Sequence, residues 1–159
     1  MRAINFALAV GTLIIVGALI VLGIHAFYPP PASPSFRLAG VAPGTPPTPA
    51  QQRQFATALD AYNARIRVYN RNVFFIANVV GVLVFVAAFL AAIYLRLSGK
   101  GILVGGMLAG FWGMLYGYGS GWGSVDDKLK FAIGLLLAVV VLGGSLWLIQ
   151  RQSRLVNTA

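Results

Sequence analysis

The chain contains no cysteine, only three acidic residues and a single histidine in 159 positions. The absence of cysteine excludes disulfides, thiolate catalysis, iron–sulfur clusters and most structural zinc sites. General acid–base catalysis needs several positioned titratable groups, and His25 with three carboxylates offers few of them. The sequence also lacks a phosphate-binding loop and a nucleophile elbow. We therefore predict a protein that is not an enzyme and that holds neither a cofactor nor a metal ion.

Charged residues are also scarce, at 9% of the chain, whereas 58% of the residues are hydrophobic and the mean hydropathy is +0.82. This composition is typical of an integral membrane protein. The twelve basic residues give a net charge of +9, but they are dispersed and lie mostly near the ends of apolar segments. Because basic residues at such places anchor a chain to lipid headgroups, we expect membrane lipid as a partner and no nucleic acid.

One long helix is predicted where proline and glycine are missing. After Pro49 neither residue occurs until Gly81. Thr48 is suited to cap the helix, Pro49 suits the first helical position, and Gln51 occupies the place of a capping-box partner. The sequence thus predicts that the helix begins at Pro49.

The two halves of this predicted helix differ in polarity. In the first half, apolar residues recur at alternating spacings of four and three, which is the pattern of a coiled-coil seam. We call this set the stalk seam, and it comprises Phe55, Leu59, Tyr62, Ile66 and Tyr69. In the second half, from Val73 to Leu95, the polar face disappears except for Asn78, a candidate for a hydrogen bond between helices. Residues 49–72 are therefore predicted as an amphipathic stalk helix, continuous with a transmembrane helix over 73–96.

Three further apolar segments lead to a fold-class prediction. We predict an all-α integral membrane protein with four transmembrane helices, the second extended into the long extramembrane stalk helix after a Pro-rich extended segment. The other predicted segments are transmembrane helix 1 at 1–28, the Pro-rich extracytoplasmic segment at 29–48, the Gly-rich transmembrane helix 3 at 102–119, a Gly/Asp loop at 120–130, transmembrane helix 4 at 131–149 and a polar tail at 150–159. A cleaved signal peptide is the alternative for the first segment, but its apolar core is too long.

The Pro-rich segment contains all eight prolines of the chain if Pro49 is included. In a polyproline conformation about 20 residues reach roughly 60 Å, and the stalk rises roughly 35 Å. The segment is therefore long enough to climb to the start of the stalk. We expect Phe36, Leu38 and Val41 to lie on the Phe55–Leu59–Tyr62 face, with a disordered loop as the alternative.

Glycines in the third predicted span indicate a helix-packing face. They recur four residues apart or nearly so, a spacing that lets helix backbones approach closely in lipid. The predicted packing residues are Gly106, Gly110, Gly113, Gly117 and Gly121. The neighbouring helix can belong to this chain or to another subunit.

An aromatic and glycine-rich stretch follows this span. It contains Gly-Tyr-Gly, which resembles part of a potassium-channel filter, but the preceding Thr-Val and a re-entrant pore helix are missing. We predict a glycine-rich interfacial loop here. The turn from Gly117 to Trp122 is also a candidate binding site for a lipid tail, a quinone or a pigment ring.

A cluster of polar residues precedes the fourth span. Ser124 is the predicted N-cap, and Asp126 and Asp127 fall in the first helical turn, where the helix dipole favours carboxylates. A divalent-metal pair is the alternative, but no further carboxylate lies nearby in the sequence. The four-span topology places Arg67 or Arg71 close to these two aspartates.

Arg65, Arg67 and Arg71 precede the membrane part of the long helix and form either a docking collar, for a partner or for lipid headgroups, or a solvated base with snorkelling side chains. Four spans place both termini and the Arg96–Lys100 turn on one side, which has five basic residues in about 18 positions and no acidic residue, whereas the other side has seven basic residues in about 55 positions and all three acidic residues. We therefore expect a multi-pass protein of the cell membrane with both termini cytoplasmic and the stalk outside. The three arginines of the collar argue against this orientation.

Two functions fit these features. The first is a non-catalytic structural or accessory membrane protein that assembles through the stalk seam and the Gly-rich helix faces. It would form a homo-oligomer or be a subunit of a larger membrane complex. The second is a small channel, or a protein that binds a lipid, quinone or pigment at the Gly117–Trp122 turn. A transporter is disfavoured because no predicted span holds a charged residue near its middle.

Overall fold

The structure, a computed structural model, describes residues 2–34, 48–94 and 100–156. These residues form four helices and no strand: α1 (Arg2–Phe27), α2 (Pro49–Tyr94), α3 (Lys100–Gly121) and α4 (Asp127–Val156). The predicted all-α class is therefore confirmed. Among the described residues, α1, α2 and α3 are each long and apolar enough to cross a membrane.

The start of α2 follows from its local sequence. The Thr48 backbone amide donates to Gln51 Oε1 at 2.9 Å, and the Gln51 amide lies 3.4 Å from Thr48 Oγ1. This reciprocal pair is the predicted capping box, and it satisfies donors that the first turn of a helix leaves free. The helix then continues for 46 residues without a break, which corresponds to about 69 Å.

The chain forms two compact units, the first spanning Met1–Ser124 and the second Val125–Ala159. In the first unit, α3 packs against both α1 and α2. As residue numbers increase along α3, the numbers of the residues that it contacts on α1 also increase, from Asn5 to Ile20, so these two helices run parallel. Ascending positions on α3 meet descending positions on α2, from Ala88 to Phe74, so these two run antiparallel.

Glycines allow α2 and α3 to touch at their backbones. A Cβ atom placed on Gly110 would lie 2.6 Å from the Gly81 carbonyl oxygen and 2.6 Å from the Phe85 amide nitrogen. A Cβ atom on Gly121 would lie 2.6 Å from Phe74 Cβ. No side chain fits into such distances without a shift of the backbone. The five predicted packing glycines all meet α2, and Gly113 also meets Ile20 of α1.

A second glycine face of α3 points to α1. A Cβ atom on Gly101 would collide with the Asn5 carbonyl, and one on Gly105 would collide with the Ala9 carbonyl. Within the first unit, the close neighbours of both glycine faces are helices of the same chain. Within a bilayer such contacts gain dispersion energy from close packing.

The interior of the first unit is small and lies mainly along the second half of α2. Val73, Phe74 and Ala77 are almost completely buried. Asn78 is also buried, and its Nδ2 donates to the Phe74 carbonyl oxygen at 2.8 Å. This bond lies within α2, so the predicted hydrogen bond between helices is wrong. The Asn78 amide fits beside Gly117, which has no side chain to displace it.

The end of α3 corrects one prediction. The helix continues to Gly121, so the stretch from 116 to 121 is helical rather than an interfacial loop. Glycine is a poor helix former, but Gly117 packs on Ala77 and Asn78, and Gly121 packs on Phe74. Tertiary contacts therefore extend the helix through a sequence that is locally unfavourable. The Gly/Asp loop predicted over 120–130 is correspondingly shorter.

The second unit contains α4, and its beginning corrects another prediction. The helix starts at Asp127, and the Lys128 amide lies 3.3 Å from Asp126 Oδ1. Asp126 is therefore the N-cap, and the prediction for Ser124 is wrong. The Ser124 amide instead donates to the Gly121 carbonyl oxygen at 2.9 Å in the turn after α3. The helix runs on to Val156, so residues 150–156 of the predicted polar tail are helical.

Candidate functional site

The predicted stalk, residues 49–72, is the half of α2 that contains no buried residue. The buried residues of α2 begin at Val73 and end at Gly81, and residues 49–72 include none. Of the stalk seam, Leu59 is 38% exposed, and the other four members are partly buried. Predicted contacts of Phe36, Leu38 and Val41 with this face lie outside the described residues.

The base of the stalk is joined to the end of α1 by one polar and aromatic contact. The rings of Tyr28 and Tyr69 are stacked with their centroids 5.1 Å apart. Asn72 Nδ2 donates to the Tyr28 hydroxyl at 2.8 Å. Tyr69, the last residue of the stalk seam, therefore already packs on another residue of the same chain. This contact fixes the position of α2 relative to the end of α1, just before the buried residues of α2 begin at Val73.

The chain beyond α1 continues along the same stretch of α2. Pro29 and Pro31 line a groove together with Ala64, Arg65 and Val68. A proline segment that connects the end of α1 to the distant start of α2 has to run along the stalk in this direction. The described part of that segment ends at residue 34, and the path from 35 to 47 lies outside the described residues.

Tyr116 and His25 border this contact. Burial raises the pKa of the Tyr69 hydroxyl above its usual value of 10.0, and the neighbouring hydroxyls of Tyr116 and Tyr28 add to the increase. The His25 ring lies 6.4 Å from the Tyr116 ring, and its Nδ1 is 3.0 Å from the Val21 carbonyl oxygen. His25 is exposed, in keeping with an interfacial side chain.

We expect the stalk base to weaken at alkaline pH. Because the folded state raises the pKa of Tyr69, the protonated hydroxyl contributes stability that is complete below pH 10 and is lost as the pH rises through the folded-state pKa. The melting temperature of the purified protein should therefore fall as the pH rises above 10, and Tyr69→Phe should make this decrease smaller. Tyr62→Phe is the matched control on the same helix. Equal decreases of the melting temperature with pH in Tyr69→Phe and Tyr62→Phe would contradict the assignment of this effect to Tyr69.

The three collar arginines differ in their surroundings. Arg65 lines the groove at Pro29 and Pro31. Arg67 Nε donates to the Asn63 carbonyl oxygen at 3.3 Å on its own helix. All three side chains are exposed, and none forms an ion pair with a carboxylate of the described residues. The collar thus presents cations at the base of the stalk.

The other predicted site residues lie at the start of α4 and at the end of α3. Asp127 accepts a hydrogen bond from Lys130 Nζ at 2.7 Å, three residues further along α4. The predicted approach of Arg67 or Arg71 to Asp126 or Asp127 joins the two units and stays a prediction. The Gly117–Trp122 turn is mostly the last turn of α3, and Gly117 and Gly121 face α2.

Sequence reasoning missed the contact of Tyr28 with Tyr69 and Asn72. Its only local signal is the aromatic pair that ends the first span, and Asn72 is 44 residues away in the chain. Within residues 2–34, 48–94 and 100–156, no three metal-binding side chains come together. No protein-family model, curated protein or solved structure matches this chain.

Proposed function

We propose that this protein is a non-catalytic structural or accessory membrane protein that holds a rigid helix outside the bilayer for assembly. The helices α1 to α3 anchor it, α4 is a fourth span, and the stalk presents its seam to a partner. The partner is a second copy of the chain or a subunit of a larger membrane complex.

One observation carries this proposal: α2 is a single helix whose two halves have different surroundings. Its second half is packed by α3 and by the end of α1, whereas its first half contains no buried residue. In proteins, most of the stability of an amphipathic helix comes from packing of its apolar face rather than from intrinsic helix propensity. Continuity with a packed second half stabilises the stalk and holds its direction.

The membrane placement is supported by the exposed side chains. Large apolar residues of the first unit are more than 60% exposed on α1 and α2, among them Phe6, Ile15, Leu22 and Leu83. Patches of this kind on a folded unit favour contact with lipid or with another protein. The parallel α1 and α3, with α2 antiparallel to both, is the arrangement that three consecutive crossings produce.

Sequence and side-chain exposure also support a fourth span and an orientation in the membrane. Residues 131–149 contain no charged side chain, and a span needs about 20 apolar residues. Phe131, Leu136 and Val139 of α4 are each more than 60% exposed. Four spans with a higher density of basic residues, and no acidic residue, on the side of the termini favour a cytoplasmic location for both ends and an extracytoplasmic stalk.

Assembly through the stalk draws more support than assembly through the glycine faces. The glycines of α3 already contact α1 and α2, so their close-packing surfaces are occupied. A channel or ligand site at Gly117–Trp122 is the less supported alternative, because its first glycine packs on Asn78 and Gly121 packs on Phe74.

A photo-reactive amino acid at Tyr62 tests the proposal in the native membrane. We expect irradiation to link the chain to one discrete partner, because Tyr62 belongs to the stalk seam. Thr57 is exposed on the opposite side of the helix and is the matched control position. The mass of the adduct distinguishes a second copy from another subunit.

Equal yields at Tyr62 and Thr57, or no discrete adduct at Tyr62, would contradict assembly through the seam. Extraction of the chain from membranes with alkaline carbonate is a separate test of the anchoring helices. A chain that carbonate releases is not integral to the membrane, whatever the stalk binds.

A further inference from the structure

Two grooves adjoin at Tyr28 on the face between α1 and α2. The lower groove has a volume of about 520 Å³, and its lining is apolar on both helices, with Leu19 and Ile24 on one side and Val80 on the other. The upper groove has a volume of about 470 Å³ and lies between the start of the proline segment and the stalk. Tyr28 lines both, so together they lead from the apolar half of α2 to the stalk base.

One face of α2 lines the whole path. The residues of α2 that line the grooves recur at helical spacing from the stalk base into the apolar half. They are Arg65, Tyr69, Ile76, Val80 and Val84. The polarity changes along this face at the level of Tyr28. Below it the lining is hydrocarbon, and above it a guanidinium group is present. This order of polarity is that of a lipid, with its acyl chain below its headgroup.

The upper groove has the chemistry to bind an anionic headgroup. Arg65 is exposed and forms no ion pair with a carboxylate of the described residues. The Tyr28 hydroxyl accepts a hydrogen bond from Asn72, so its own proton remains available to donate. A phosphate diester accepts strong hydrogen bonds from both kinds of donor.

We infer that this path binds an anionic phospholipid, with an acyl chain in the lower groove and the phosphate at Arg65. The inference rests on the proposed membrane anchoring but not on the partner of the stalk. It assigns a specific ligand to Arg65, the one arginine of the collar that lines the upper groove. The acyl chain occupies the space that the lower groove provides between the side chains of α1 and α2.

Gly23 provides a variant that fills the groove without disturbing the protein. It lines the lower groove, and a Cβ atom on it meets no other atom within 4 Å. Gly23→Leu therefore places a side chain where the acyl chain would lie. Gly11→Leu is the matched control, because Gly11 is on the same helix, is equally open and lines neither groove.

The headgroup is tested by Arg65→Gln, with Arg67→Gln as its control. The full chain is purified in mild detergent and supplied with phosphatidylglycerol or with phosphatidylcholine of the same acyl chains. Native mass spectrometry then measures the lipid that remains bound. We expect retention of phosphatidylglycerol over phosphatidylcholine, and about tenfold weaker retention in Arg65→Gln, since a hydrogen bond to a charged group is lost.

Gly23→Leu should lower the retention of phosphatidylglycerol about as much, while Gly11→Leu and Arg67→Gln should retain it as the unaltered chain does. Unchanged retention in Gly23→Leu, or equal losses in the two arginine variants, would overturn the inference. So would a dimer that forms without lipid and is lost in Gly23→Leu, because a second copy would then occupy the groove. Carbonate extraction of each variant separates a failure of lipid binding from a failure of anchoring.

Discussion

Phe74→Ala is expected to destabilise the first unit by about 3 kcal/mol, the usual cost of removing a buried aromatic ring. Phe74 is completely buried, and its ring lies edge-on to that of Tyr118 with centroids 5.1 Å apart. It also provides the surface on which Gly121 packs. Removal of the ring leaves a cavity between α2 and α3. The cavity cannot collapse, because the close backbone contact at Gly81 and Gly110 already fixes the distance between the two helices.

Phe75→Ala is the matched control for this prediction. Phe75 is the adjacent residue with the same side chain, but it is 37% exposed. Thermal unfolding in detergent, followed by circular dichroism, should show a much larger decrease of melting temperature for Phe74→Ala than for Phe75→Ala. Similar decreases would contradict the packing of α2 on α3 at this end.

Gly110→Ala is expected to push α2 and α3 apart, at a cost of about 1–3 kcal/mol. The added Cβ atom would lie 2.6 Å from the Gly81 carbonyl oxygen and 2.6 Å from the Phe85 nitrogen. Both are backbone atoms of a helix, so relief requires a movement of the whole helix rather than of one flexible side chain. The proteolytic resistance of the purified protein should fall accordingly.

Gly119→Ala is the control on the same helix. A Cβ atom on Gly119 meets nothing within 4 Å, and alanine is the better helix former by about 1 kcal/mol. This variant should therefore be as resistant to protease as the unaltered chain, or more so. Equal sensitivity of the two variants to protease would contradict the close approach of α2 and α3 at Gly110.

The features that local sequence determines were predicted well. The first turn of α2 depends on Thr48, Pro49 and Gln51, which are within four residues of one another, and the capping box is present. The single helix over 49–94 follows from the absence of proline and from a continuous apolar periodicity. Both are properties of short windows, and short windows are readable without knowledge of the fold.

The features that depend on distant contacts were not predictable in the same way. Glycine spacing predicts close approach, but it does not tell which helix approaches, and α3 uses separate glycines for α1 and for α2. The helical state of 116–121 opposes local propensity and follows from packing on Phe74 and Ala77. The Tyr28–Asn72 bond joins residues 44 positions apart, so no window contains both.

The unbroken α2 also makes the stalk a lever. Residues 49–72 extend about 36 Å beyond the packed half, and after Pro49 in the first turn this stretch contains no proline or glycine that could act as a hinge. A change of about 10° in the tilt of the packed half displaces the far end of the stalk by about 6 Å. Tilt depends on the thickness of the surrounding bilayer. In the membrane placement proposed above, a change of bilayer thickness that alters this tilt therefore moves Thr48.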